Sequence, residues 1–327
     1  MSRRRAGIWW VTPLLVTAAC QEPPPPAVPP GAFAFAALGD APYSALEDIR
    51  FGHVMRQLDQ ADLSFIIHVG DIFWYPCSDE HYRKRLDQFQ RLRHPLVYTP
   101  GDNEWTDCHE RIAGSYGPLD RLTRLRAIFF ASPESSLGTP PLPLAVQAAD
   151  TAWSEFVEHV RWVHERVVFF TVHLVGGNGL EPFPGRSVRD DEESARRTAA
   201  AAAWTRASFA VADSLGAAAV VLALHADMAL EEPADDAYRR RYEPFLETLE
   251  AAVERFAGPV LLIHGDDHEF VVDHPLVRRT TGQVLENLTR LEVPGSPAVG
   301  WVQVVVDAAA AYPFSFAPRV VPRWTVW

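Results

Sequence analysis

Residues 97–108 read VYTPGDNEWTDC. An apolar, strand-like run stops at Pro100 and Gly101, and Asp102, Asn103 and Glu104 follow at once. Pro and Gly end a strand in a tight turn, and one Asp behind them would be ordinary turn chemistry. The same step recurs upstream, however. AFAFAAL (32–38) runs into Gly39 and Asp40, and LSFIIHV (63–69) into Gly70 and Asp71. The three aspartates are spaced by 31 residues, about one β-α-β step. The segments between them have helical periodicity. SALEDIRFGHVMRQLDQAD (44–62) opens on a capping box, Ser44 with Glu47, and places Leu46, Ile49, Val54 and Leu58 along one stripe. EHYRKRLDQFQRLRH (80–94) places Tyr82, Leu86 and Phe89 together.

The alternation continues. A helix is expected over 119–130, then a Pro-rich loop (132–144) and a strand over 167–172. A long Ala-rich helix over 193–214 follows, with strands at 218–224 and 259–263 flanking a helix near 236–257. GWVQVVVD (300–307) starts a terminal β segment. This pattern predicts an α/β layered fold with a mainly parallel centre, in which ligands sit at the carboxyl ends of the strands. The residues there form a set: Asp40, Asp71 and Asp102, then His225, then His264, Asp266, Asp267 and His268. Several converging carboxylates repel one another, and divalent cations remove that cost. Aspartate and imidazole are ordinary ligands for Mn, Fe, Zn or Mg.

The 327 residues carry 30 basic and 42 acidic side chains, a net charge of −12. A nucleic-acid polymer is therefore not an expected partner, since phosphate binding needs a basic stripe. Arg3, Arg4 and Arg5 precede an apolar run that ends in TAAC at Cys20. Residues 1–20 read as an export signal, 21–31 as a Pro-rich tether, and 32–327 as the folded domain. If Cys20 is acylated, the protein is a membrane-anchored lipoprotein facing the cell exterior; a plain cleaved signal leaves it free in the periplasm or beyond. Two cysteines remain, Cys77 and Cys108. In an exported chain an even pair reads as a disulfide, with two buried thiols as the alternative.

On these motifs the chain resembles the calcineurin-like metallophosphoesterases, including purple acid phosphatases. LGDAPY (38–43), HVGDIFW (68–74), PGDNEW (100–105), LALHADM (222–228) and HGDDHEF (264–270) fall at its five blocks. The resemblance implies a four-layer α/β/β/α sandwich with two divalent metals (Mn, Fe, Mg or Zn) at the strand ends. Asp40, Asp71 and His268 would hold one metal; Asp71, Asp102, His225 and Asp266 the other, with Asp71 as the bridge. It also implies hydrolysis of a phosphate ester by a metal-bridged hydroxide. Pro42, Asp102, Asn103 and Asp266 depart from the family pattern, leaving the first metal one ligand short and Asn103 in place of a proton-donating His. Asn103 could hydrogen-bond the phosphate, and His109 or His173 could protonate the leaving group, each being otherwise a surface or packed His. Glu104 is expected to orient a ligand, and His264 to orient one or to take the ligand role in place of Asp266. Tyr43, Trp74 and Asn178 are expected either to touch substrate or to serve packing. His68 reads as a structural His. The alternative function is a catalytically weakened metal- or ligand-binding lipoprotein on the same fold.

Overall fold

The computed structural model describes residues 27–177, 183–323 and 325. The expected export signal with Cys20, most of the tether, and Asn178 lie outside the described residues. Among the described residues, no helix is long and apolar enough to cross a membrane.

The described chain is a mixed α/β structure with two mixed sheets and five α-helices. The first sheet is built on β1 (Phe33–Leu38), β2 (Ile66–His68) and β3 (Leu96–Tyr98), all parallel. Two C-terminal strands, β11 (Gly300–Val306) and β12 (Phe314–Val320), join antiparallel beside β1. The second sheet has a parallel centre of β6 (Val167–Thr171), β7 (Ala219–Ala223), β8 (Val260–His264) and β10 (Leu288–Glu292). Antiparallel strands complete its edges: β4 (Ala145–Val146) and β5 (Val160–His164) on one side, β9 (Val271–Asp273) on the other.

The alternation of side chains along β1 explains its packing. Phe33, Phe35 and Ala37 enter a core shared with Phe169, Val221, Leu261 and Ile263 of the second sheet. Phe65 stacks on Phe35 at 5.3 Å and meets Phe169 edge-on at 4.9 Å, favoured geometries for aromatic pairs. Ala34, Ala36 and Leu38 enter a different core. That core takes Phe51, Val54 and Leu58 of α1 (Ala45–Gln60), Tyr82 and Phe89 of α2 (Asp79–Gln90), and Leu125 and Phe129 of α3 (Pro118–Phe129). The second sheet is covered in the same way by α4 (Val188–Leu215) and α5 (Glu243–Arg255). Strands covered on both faces lose polar alternation and read as continuous apolar runs.

Several boundaries differ from the sequence reading, for local reasons. The α1 cap is shared: Ser44 Oγ accepts the Glu47 N–H, but Glu47 returns its carboxylate to the Tyr43 N–H at 2.8 Å, one residue earlier than in a capping box. The helix expected near 236–257 starts only at Glu243, with Pro244 in its first turn, where the missing N–H is no loss. The α4 helix starts five residues earlier than read, behind Ser187.

Strand register positions the site. Leu38 pairs with His68, and His68 with Tyr98. Each of these closing residues is followed within four residues by its Gly-Asp pair, so Asp40, Asp71 and Asp102 arrive at one sheet edge. On the second sheet Ala223 pairs with Ile263, which brings His225 and Asp266 to the matching edge. Cys77 and Cys108 form a disulfide joining the loops after β2 and β3. It spans 31 residues, and closing such a loop in the unfolded chain is worth about 3–4 kcal/mol in the chain-entropy account.

Candidate metal centre

Two triads of possible ligands meet at the sheet edges. Asp40, Asp71 and His268 have ligating atoms within 4.8 Å of one another, as do Asp71, Asp102 and His225. Asp71 belongs to both. Asp266 belongs to neither triad, but links them: its N–H donates to Asp40 Oδ1 at 3.0 Å, and its Oδ1 lies 3.6 Å from His225 Nε2. His225 sits at the centre, with Nε2 2.8 Å from Asp102 Oδ1 and 3.4 Å from Asp71 Oδ1.

The backbone is bent to deliver these side chains. Asp40 (φ 52°), Asp71 (φ 56°), Asp266 (φ 84°) and His268 (φ 68°) are four of the seven non-glycine residues with positive φ among the described residues. Such conformations cost about 1–3 kcal/mol each and persist where surrounding structure imposes them. Glycines supply room. A Cβ on Gly101 would lie 2.1 Å from Asp71 Oδ1, one on Gly265 2.1 Å from Asp40 Oδ2, and one on Gly176 1.9 Å from Asp266 Oδ2.

Hydrogen bonds fix which atoms face the centre. His225 Nδ1–H donates to the Val69 carbonyl at 2.8 Å, and His268 Nδ1–H to the Ser296 carbonyl at 2.9 Å. Both rings therefore keep Nε2 as the atom available to a cation. Asp40 Oδ2 is buried without a hydrogen-bond partner. Asn103 N–H donates to Asp71 Oδ1 at 3.1 Å, and the Tyr43 hydroxyl donates to Asp71 Oδ2. Glu104 is buried and accepts from Ile72 N–H at 3.1 Å and Tyr98 hydroxyl at 2.9 Å, tying down the residue after Asp71.

Protonation reflects buried, uncancelled charge. Burial pushes the Asp40 carboxyl up to about 7, against the pull of the His225 charge. Burial, aided by the charges of Asp102, Glu104 and Asp40, holds Asp71 well above the carboxylate range. Burial would lower His225, yet the Asp71 charge and the bonds to Asp102 and Asp266 hold it well above its ordinary value. For Asp102 burial acts upward, but the His225 bond and charge outweigh it and the net shift is downward. A buried carboxyl atom without a partner, two imidazoles aimed by backbone carbonyls, and two carboxyls, Asp40 and Asp71, that resist ionising together fit a cationic guest.

A stability prediction follows for the metal-free protein. Burial raises Glu292 to about 8, and Asp71 and His225 are also raised. Each holds a proton in the folded chain at a pH where the unfolded carboxyl, or above about 6.5 the unfolded imidazole, has lost it. Their stabilising protons are lost as pH rises through the folded values. His68 and His264, lowered by burial to about 3 and about 4, act in the opposite sense only below the unfolded histidine value of 6.5. In chelator, unfolding free energy should thus fall by on the order of 1–3 kcal/mol between about pH 7 and pH 9. Urea melts at both pH values check it, and a rise in stability over that window contradicts it.

The chain is similar in fold to PhoD. The solved structure titled "Structure of PhoD" superposes with a TM-score of 0.55 at 12% identity, covering 90% of this chain and 72% of that one. The likeness is one of fold. TT1561 of Thermus thermophilus superposes with a TM-score of 0.43 at 10% identity, covering 88% of this chain and 98% of that one. No protein-family model and no curated protein matches the sequence.

The remaining expected site residues fall in distinct places. Tyr43 touches the centre through Asp71, and its ring lies 5.2 Å from His268. Trp74 is 47% exposed beside Tyr43. His109 is half-buried, donates Nδ1–H to the Thr106 carbonyl at 2.7 Å and stacks on Phe183 at 4.2 Å. His173 is fully buried, with Nδ1 2.8 Å from Glu158, which Arg126 also grips. His264 is buried and donates Nδ1–H to the Gly265 carbonyl at 2.8 Å. His68 is buried too, its Nδ1 accepting the Gly70 N–H at 3.2 Å. Sequence reasoning missed Gly176 and Gly295, which shape the walls of Asp266 and Asp40. The only signal was a Gly-Gly pair at 176–177 and a Gly-Ser-Pro at 295–297, each just beyond a strand.

Proposed function

We propose that this chain is an exported, metal-dependent phosphoric ester hydrolase, built as a four-layer α/β/β/α sandwich with its reaction centre at the strand ends. The observation that carries the reading is the sharing of Asp71 between two ligand triads. One cation would rest on Asp40, Asp71 and His268, the other on Asp71, Asp102 and His225 with Asp266 beside it. Two such cations supply Lewis-acid stabilisation of a phosphoryl oxygen and a nucleophile from water at neutral pH. The N-terminal sequence supports export, with or without acylation at Cys20, and the Cys77–Cys108 disulfide fits an oxidising compartment.

The protein's own groups have separable tasks. Asn103 N–H and the Tyr43 hydroxyl hold the two oxygens of Asp71 in place. Glu104 anchors the adjoining Ile72 amide. The Asn103 side chain can donate a hydrogen bond to a phosphate oxygen but has no proton to surrender. We assign the leaving-group proton to His109 over His173. His109 is half-buried on a turn beyond Asp102, whereas His173 is sealed against Glu158. His109→Ala should then lower kcat for an alkyl phosphate at least about tenfold more than for p-nitrophenyl phosphate, whose leaving group needs no proton. Equal losses would remove His109 from that role.

The reading is tested by turnover of p-nitrophenyl phosphate and its bis ester with Mn, Fe, Mg or Zn supplied, and by its loss in chelator. Absence of turnover with every metal, alongside retained metal binding, would favour the alternative of a metal- or ligand-binding lipoprotein on this fold.

A further inference from the structure

A groove of about 430 Å³ opens beside the candidate metal centre, between the start of α1 and the face of α2. Tyr43 belongs to both: its hydroxyl reaches Asp71 while its ring lines the groove. Trp74 continues that wall at 5.8 Å from Tyr43, and Tyr75 follows at 5.2 Å from Trp74. Trp74 and Tyr75 are 47% and 38% exposed. Three aromatic rings in series, two of them left open to solvent, form a surface that water solvates poorly and that a flat ring covers well.

The charges at the groove narrow the ligand. Arg85 is buried: it stacks on Phe51 at 4.6 Å and donates to the Ile72 carbonyl at 2.9 Å, so it serves the protein's own loop. Lys84 crosses from α2 to Asp48 of α1 at 2.5 Å, and Arg85 meets the same carboxylate at 3.2 Å. Asp48 thereby offsets part of the positive charge, and no cluster of free cations remains for a polyanion. A groove of this kind suits the alcohol side of an ester rather than a second phosphate.

Resting on the phosphoesterase reading above, we propose that the Tyr43–Trp74–Tyr75 groove binds the leaving group, and that the preferred substrates are phosphate esters whose alcohol carries a planar ring. The phosphoryl group would lie at the Asp71 end and the ring against Trp74.

Benzyl phosphate and ethyl phosphate test this, because their leaving alkoxides are similar in basicity and differ in the ring. With the full-length, metal-loaded protein, kcat/KM should favour benzyl phosphate by about tenfold, mainly through KM. Trp74→Ala should bring the ratio close to one, and Trp74→Phe should restore most of it. No preference in the wild type, or a preference that survives Trp74→Ala, overturns the proposal. If neither ester turns over, calorimetric titration with benzylphosphonate against methylphosphonate decides the groove alone, and the phosphoesterase reading itself fails only if p-nitrophenyl phosphate and its bis ester are not hydrolysed either. Tighter binding of the benzyl compound that depends on Trp74 supports a ring site. Equal binding, or none, overturns it.

Discussion

Asp71→Asn is expected to lower kcat/KM for any phosphate ester by on the order of 10³ or more while leaving the fold intact. The shape of the side chain is retained, so the Asn103 N–H keeps its acceptor at Oδ1. What disappears is the negative charge that both triads share. An amide is a poor substitute at a site proposed to hold two dications, and it turns one donor-only face toward the Tyr43 hydroxyl. The metal-free protein should hardly notice. Burial and neighbouring carboxylates raise the Asp71 carboxyl well above its ordinary value, so its ionised form adds little to the metal-free fold, and a neutral amide of the same shape should shift unfolding free energy by less than about 1 kcal/mol. Steady-state kinetics with a urea melt on the same preparation separates the two effects. Turnover within tenfold of wild type would show that Asp71 is not the shared ligand.

Gly101→Ala is the second large effect, and it acts through space rather than charge. The added methyl would lie 2.1 Å from Asp71 Oδ1 and 2.5 Å from the Asp71 backbone nitrogen. The second neighbour is backbone, held by the turn after β2, so only the Asp71 carboxylate or the 101–102 turn can give way. Overpacking of this kind costs about 1–3 kcal/mol. The displaced carboxylate should also weaken cation binding, by about 10- to 100-fold if the effect resembles loss of an outer-shell support. Gly52 provides the contrast. It lies inside α1, where a Cβ would have Arg56 as its nearest contact at 3.9 Å. Gly52→Ala should stabilise by up to about 1 kcal/mol through helix propensity, with turnover unaffected. If Gly101→Ala binds metal as tightly as wild type, the close packing around Asp71 has no part in metal affinity.

The site's skeleton was legible because it is written in local chemistry. Gly-Asp steps after apolar runs mark strand ends, and one β-α-β period between them aligns Asp40, Asp71 and Asp102 once the strands pair in parallel. The pairing of His68 with both Leu38 and Tyr98 is the physical form of that period. What was not legible depends on partners far away in sequence. LTRLE (288–292) reads as polar, yet it is a buried strand, because Arg290 meets Asp273 at 2.7 Å and Glu231 at 2.8 Å, and Glu292 accepts the Glu269 N–H. β5 (Val160–His164) likewise carries Arg161, whose guanidinium lies over Trp204 at 4.5 Å. Periodicity cannot supply such ion pairs and ring contacts. Nor could it distinguish the fates of His109 and His173, since the partner that seals His173 is Glu158 on the neighbouring chain segment. The helix over 236–257 shortened for a reason present in the sequence, Pro244, whose ring suits a first turn and not an interior.

Metal counting tests the central claim most directly. The full-length chain, stripped with chelator and then titrated with Mn²⁺ by calorimetry, should take up two equivalents per chain, with the bound metal confirmed by elemental analysis after desalting. Asp71→Asn, treated in the same way, should retain at most one, and weakly. Wild-type protein that binds none, or an Asp71→Asn variant that still binds two with unchanged affinity, would contradict a dinuclear centre built around Asp71.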